Sequence, residues 1–198
     1  MSHEGKHVLS ALWEYKKIRD PATKSISYEY ARMIEATGEI QDQIVPYAME
    51  CLDALHIKYG PSHSEVIMCH DGPCLVETGA RLHGLKGPKM VERATGLGTH
   101  ELAIDVAING ARLFNQIYDS EHKYIVKKWV FESMFRNVFH TGILKNSIDT
   151  MAIRSLPSVT DVFPSVFPGD EYVFQKFVRR SWIDFQHWKR FMKSSTSS

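Results

Sequence analysis

The chain has 198 residues, 43% hydrophobic and 24% charged, with a formal net charge of +1. That balance is ordinary for one or two globular domains, and it gives no electrostatic reason to expect nucleic acid or an acidic membrane as a partner. No apolar run approaches the roughly 20 residues of a membrane span, and the polar opening Met1–His7 carries no signal-peptide core. Cys51, Cys69 and Cys74 are odd in number and lack Cys-x-x-Cys spacing, so a reducing, cytoplasmic setting is expected, with Cys69 and Cys74 as small buried hydrophobes.

In chain order, Val8–Tyr15 reads as a strand, Lys16–Pro21 as a basic turn, and Ser25–Ile34 as a second strand with partial alternation. Lys16, Lys17 and Arg19 read first as solvated turn residues. From Gly38 to Tyr59 the period becomes helical. Ile40, Ile44, Ala48, Cys51, Leu52 and Leu55 fall on one stripe, Thr37 is a candidate cap, and Gly60 is a natural stop. Pro46 argues against an early start and favours one nearer Gln43.

Ser64–Cys69 and Pro73–Glu77 flank His70-Asp71-Gly72, and Asp-Gly between apolar runs is a hairpin signal. A three-residue loop with Gly72 left-handed pairs Cys69 with Pro73, Ile67 with Leu75 and Glu65 with Glu77. Directly opposed Cβ atoms lie about 5 Å apart. Two carboxylates at that distance repel, and a divalent cation relieves the repulsion. Mg²⁺ suits, since it takes hard oxygen ligands, commonly one or two carboxylates together with phosphates. A two-residue Asp71-Gly72 loop shifts the register by one and sends the glutamates to opposite faces, where they are simply exposed. Both registers stay open at this level.

Leu82–Lys89 is a glycine-containing basic loop and Lys89–Arg93 a short helical turn. Thr95-Gly96-Leu97-Gly98 lacks the context and spacing of a dinucleotide fingerprint. Thr99–Ile117 reads as one helix capped by Thr99, with Gly110 allowing close packing. Asp119–His122 is the best internal boundary. Tyr124–Glu132, Gly142–Leu144 and Ile153–Val159 read as a small β-subdomain, Val178–Phe191 as a basic, Trp-rich helix, and Ser194–Ser198 as a disordered tail. The fold class is α+β, an antiparallel sheet with packed helices followed by a small β-rich C-terminal subdomain.

The stretch Ile57–Glu65 leading into Glu65, the Asp71-Gly72-Pro73 turn, and Glu77-Thr78-Gly79-Ala80-Arg81 together resemble the metal-binding segment of ATP-grasp enzymes, closest to the carboxylate–amine ligase branch. The Trp13-Glu14-Tyr15 strand and the run from Gly142 to Asp170 resemble the same branch less specifically. The resemblance implies ATP and Mg²⁺ as cofactors, with Glu65 and Glu77 holding the metal that bridges the phosphates. It implies Arg81 on the transferred phosphate or acyl phosphate, apt for a two-pronged guanidinium. His83, and less strongly Lys86, would border the acceptor substrate. Gly79 stands where many members carry a metal-assisting Asn, which puts a second metal in doubt.

It further implies that residues 1–120 are the C-terminal half of an ATP-grasp domain and 121–193 a β-rich C-terminal subdomain, with 194–198 as tail. A first-lobe nucleotide-binding lysine is not found in the sequence. The expected partners are a small-molecule carboxylate and amine, with no nucleic acid or membrane, and a missing N-terminal lobe or a second copy. The alternative is a non-catalytic binding or scaffold module that keeps the fold.

Overall fold

The computed structural model describes residues 1–19, 24, 26–84, 86–121, 123–136, 142–164, 166–172 and 177–184. Its elements are β1 (Ser2–His3), β2 (Lys6–His7), β3 (Trp13–Arg19), β4 (Ile26–Met33), α1 (Gln41–Ala54), β5 (His63–Cys69), β6 (Gly72–Gly79), α2 (Gly87–Thr95), α3 (Thr99–Ile108), α4 (Arg112–Asp119), β7 (Val130–Arg136), β8 (Gly142–Ile143), α5 (Met151–Arg154), β9 (Val159–Val162), β10 (Glu171–Tyr172) and β11 (Phe177–Asp184). The strands pair antiparallel throughout, so the α+β class expected from the sequence is what the chain adopts. No helix among the described residues is long and apolar enough to cross a membrane.

Contacts divide the chain into two compact units. One comprises Met1–Leu12 and Ile34–Lys128; the other comprises Trp13–Met33 and the chain from Trp129 onward. The division at 120 expected from the sequence is linear, whereas strand pairing joins β3 and β4 to the later strands.

In the first unit, Met1, Val8, Leu102, Ala111 and Phe114 form a buried cluster with Leu82, Ala103, Val106, Leu113, Ile117 and Tyr118 packed against it. The opening segment makes only the two-residue strands β1 and β2, and Val8–Leu12 is not a strand. In α1 the buried residues are Val45 and Leu52, seven apart and hence on one stripe, while Ile40 and Leu55 are exposed. Helical bonds begin at once: Asp42 N–H donates to Gly38 O at 2.8 Å and Ile44 N–H to Ile40 O at 2.9 Å. Pro46 therefore sits inside the helix, and Thr37 does not cap it. The helix stops at His56, left-handed at φ 55°. There Ile57 N–H returns to Leu52 O at 3.0 Å, so Gly60 lies beyond the stop.

The expected single helix Thr99–Ile117 is two. Gly110 (φ 70°) and the buried Ala111 (φ 56°) both take left-handed backbone and turn the chain. The buried carboxylate of Asp105 makes the turn stable: its Oδ2 accepts the N–H groups of Leu113 at 2.9 Å and Phe114 at 3.1 Å, capping α4 from α3. Tyr124 is not in a strand. The hydroxyl of this half-buried residue accepts Leu12 N–H at 3.1 Å and donates to Ile34 O, and partial burial raises its pKa well above the ordinary range.

The second unit is built on a five-stranded sheet in the order β3-β4-β7-β11-β9. Glu14 and Arg32 face each other across β3 and β4, with Arg32 Nε donating to Glu14 Oε2 at 2.7 Å. β3 continues through the expected turn to Arg19. Ile153–Val159 is chiefly the end of α5 and a turn rather than a strand. Val178–Asp184 is an interior strand and not a helix, consistent with its β-branched and aromatic content. Trp188, Arg190 and the 194–198 tail lie outside the described residues.

Candidate functional site

The hairpin β5–β6 is held to α1 by Tyr47, whose hydroxyl accepts Leu75 N–H at 3.1 Å. Its register answers the question the sequence left open. Glu65 pairs directly with Glu77, His63 with Gly79 and Ser64 with Thr78. Nearer the tip, Val66 pairs with Leu75, Ile67 with Cys74 and Cys69 with Gly72. The expected pairs Cys69–Pro73 and Ile67–Leu75 are therefore wrong, and the loop has two residues, His70 and Asp71. Gly72 takes positive φ, 113°, as expected, but it belongs to the ladder.

The glutamates nevertheless oppose each other, because the ladder shifts between Glu65 and Val66 and leaves Val76 unpaired as a bulge. Tip and bulge each change the register by one residue, and the changes cancel at the glutamates. Leu75 N–H, at the bulge, is satisfied by Tyr47 instead of the ladder. Cys69 and Cys74 are exposed free thiols, not buried hydrophobes, because this register turns both outward.

The face that carries Glu65 and Glu77 carries His63 as well, by the two-residue period of a strand. Glu65 is half-buried and Glu77 exposed. Ser64 and Thr78, on the opposite face, bond to each other at 2.7 Å. Burial and the nearby Arg81 charge hold the His63 pKa below 6.5, while Glu65 and Glu77 pull it the other way. Its ring meets that of His83 edge-on, with centroids 4.9 Å apart. His83 Nδ1 lies 2.9 Å from Gly84 O. Any Cβ on Gly87, at the start of α2, would stand 2.0 Å from that same nitrogen.

Arg81 leaves the hairpin at Gly79, whose carbonyl accepts its N–H at 2.8 Å. Its side chain is exposed; Nη1 donates to Leu82 O at 3.1 Å, and no carboxylate among the described residues pairs with it. Five groups thus gather at one end of the hairpin: His63, Glu65, Glu77, Arg81 and His83. Lys86 is exposed beside α2. Sequence reasoning gave His63 and Gly87 no role. The signal for His63 was present, since His-x-Glu places both side chains on one strand face; the contact behind Gly87 is tertiary and left no local trace.

The residues suit Mg²⁺. Two opposed carboxylates, one open to solvent, are hard oxygen donors that leave room for phosphates and water. Among the described residues no three His, Cys, Asp or Glu side chains converge as direct ligands.

No protein-family model matches the chain. Over 93 residues it is 29% identical to dapdiamide A synthase of Enterobacter agglomerans, a match spanning 47% of this chain and 22% of that protein. Its structure is similar to an L-amino acid ligase from Bacillus licheniformis, with TM-score 0.75 and 17% identity over 98% of this chain and 50% of that one. It is also similar to a phosphoribosylglycinamide synthetase from Anaerococcus prevotii, with TM-score 0.62 and 13% identity over 92% of this chain and 46% of that one. The chain spans about half the length of these solved structures and less of the synthase.

Proposed function

We propose that this chain, whose fold is that of part of an ATP-grasp enzyme, is the metal-binding half of a carboxylate–amine ligase. The fold likeness and the synthase relative support an ATP-grasp ligase ancestry. The observation that carries the reading is the direct opposition of Glu65 and Glu77, with Arg81 four residues further on. Enzymes with this fold generally use ATP and Mg²⁺.

Glu65 and Glu77 would hold the ion, which when bound neutralises charge on the phosphates. The Arg81 guanidinium, exposed and without a carboxylate partner among the described residues, binds the transferred phosphate or the substrate carboxylate in two-pronged fashion and stabilises charge as it develops there. His83, across from His63, borders the acceptor amine. The substrate classes that fit are an amino-acid or similar carboxylate, activated as an acyl phosphate, and an amine that displaces the phosphate. A cytoplasmic setting fits such chemistry.

Positioning both reactants needs both walls of a cleft. Because the chain spans only half of the similar ligase, it is expected to be inactive alone and to need a complementary lobe or a second copy. The same observation supports a second reading, a non-catalytic module that keeps the fold.

Phosphate release with Mg²⁺ and ATP, measured over a panel of acids and amines, tests both. The isolated chain should stay below about 0.1 s⁻¹, low against ordinary enzymes. With the complementary lobe supplied, turnover should appear, and Arg81→Lys should cut it at least tenfold while leaving the melting temperature unchanged. Turnover by the isolated chain would refute the half-site. No turnover with any lobe would favour the module. An Arg81→Lys protein that melts far lower but keeps its rate would make the arginine structural.

A further inference from the structure

We propose that His63 is a third member of the cation site, its ring Nε2 hydrogen-bonding a water that the ion on Glu65 and Glu77 retains. The inference rests on the reading of that carboxylate pair as metal-binding. Four positions make up one end of this hairpin face: His63 across from Gly79, and Glu65 across from Glu77. Gly79 contributes no side chain to that row, and what lies nearest its missing Cβ is the Arg81 side chain, with Nε at 3.4 Å.

The two ring nitrogens differ. Nδ1 is buried and has no hydrogen-bond partner. Nε2 is not buried, and no protein group among the described residues bonds it. The half-buried ring belongs to the strand face that carries the two carboxylates. The ring is also held in place: His83 packs edge-on against it at 4.9 Å, and the missing Cβ of Gly87 leaves the room that His83 occupies.

A ring supported in this way, on one strand face with two hard-oxygen donors whose charge it feels, matches the outer partners that orient a metal's immediate ligands. It does not join Glu65 and Glu77 as a direct third ligand, and Mg²⁺-like ions keep several waters, through which an imidazole reaches them.

Mn²⁺ is the probe, because its paramagnetism reports weak binding without turnover. Titrating the intact chain with Mn²⁺ should broaden the His63 ring and hairpin resonances first, and water-proton relaxation should give the affinity. Glu77→Gln should abolish the site. His63→Ala should weaken Mn²⁺ binding about tenfold. His63→Gln, whose side-chain amide can still hydrogen-bond a water held by the ion, should keep most of the affinity that His63→Ala loses.

If Glu77→Gln abolishes binding while His63→Ala leaves it unchanged, this inference is overturned and the carboxylate pair stands. If the wild type shows no localised broadening at the hairpin, the reading of the pair falls, and the inference with it. A His63→Ala loss that His63→Gln does not repair assigns the ring to packing and also overturns the proposal.

Discussion

Replacing Gly87 by Ala is the sharpest probe of how the site is supported. The added Cβ would stand 2.0 Å from His83 Nδ1, 2.6 Å from Cγ and 2.9 Å from Cε1. Ordinary contact begins at 3.4 Å, so the ring must withdraw by about 1.4 Å. Withdrawal gives up the Nδ1 contact with Gly84 O and the edge-on packing against His63. Overpacking of this kind costs roughly 1–3 kcal/mol. Alanine's helix preference over glycine, about 1 kcal/mol in a helix interior and less at a first residue, offsets part of it. The net loss should be about 1–2 kcal/mol, a fall in melting temperature of about 3–6 °C. The assay is thermal and urea unfolding of four proteins: wild type, Gly87→Ala, His83→Ala and the double variant. Removing the imidazole removes the collision, so the double variant should be more stable than the sum of the single losses predicts by about 1 kcal/mol. Additive losses, or a Gly87→Ala protein as stable as wild type, would refute the packing described here.

Millimolar Mg²⁺ near neutral pH should stabilise the wild type by about 1 kcal/mol or less through mass action; Glu77→Gln should show no response in the same melts, and an unchanged response would remove Glu77 from the site. Stability should rise from pH 6 to 8. Burial lowers the pKa of the Met1 amine, which donates to Val8 O, from 8.0 to about 6. Within that window the unfolded chain carries the extra proton, so folding becomes more favourable as pH rises, by about 2–3 kcal/mol in total. His63, also lowered chiefly by burial, adds the same sign just below pH 6.5. A flat or falling profile in urea melts across this range would contradict the burial of both groups. Asp105→Ala strips two N–H groups at the start of α4 of their acceptor and should cost about 2 kcal/mol or more; a loss under 0.5 kcal/mol would mean that the cap contributes little.

The class, the hairpin, the helix before it and the opposed glutamates were legible because each rests on local patterning. The misreadings share a cause, in that the deciding interaction was distant in sequence. The helix expected across 99–117 breaks where a carboxylate on α3 satisfies the N–H groups of α4. The basic Phe177–Asp184 segment lies between two strands of its own sheet, and pairing outweighed a weak helical pattern. The turn was misjudged by one residue, yet the glutamate pair was right, since two register changes not separately visible in the sequence cancel. Candidate residues quoted for their chemistry, Glu65, Glu77 and Arg81, stand out in the sequence, whereas His63 and Gly87 draw their interest from what touches them.

The unpaired Val76 bears on how such chains are compared. A strand's side chains alternate like two interleaved tracks, and Val76 is where β6 changes track. Residues on its tip side keep one parity and Glu77 and those beyond keep the other, so the tip can differ by one residue while the glutamates stay face to face. An alignment that places its gap at His70-Asp71 would put the wrong residues of β6 in the same columns from the turn to the bulge. Placing the gap at Val76 keeps every paired position in β5 and β6 opposite its true partner.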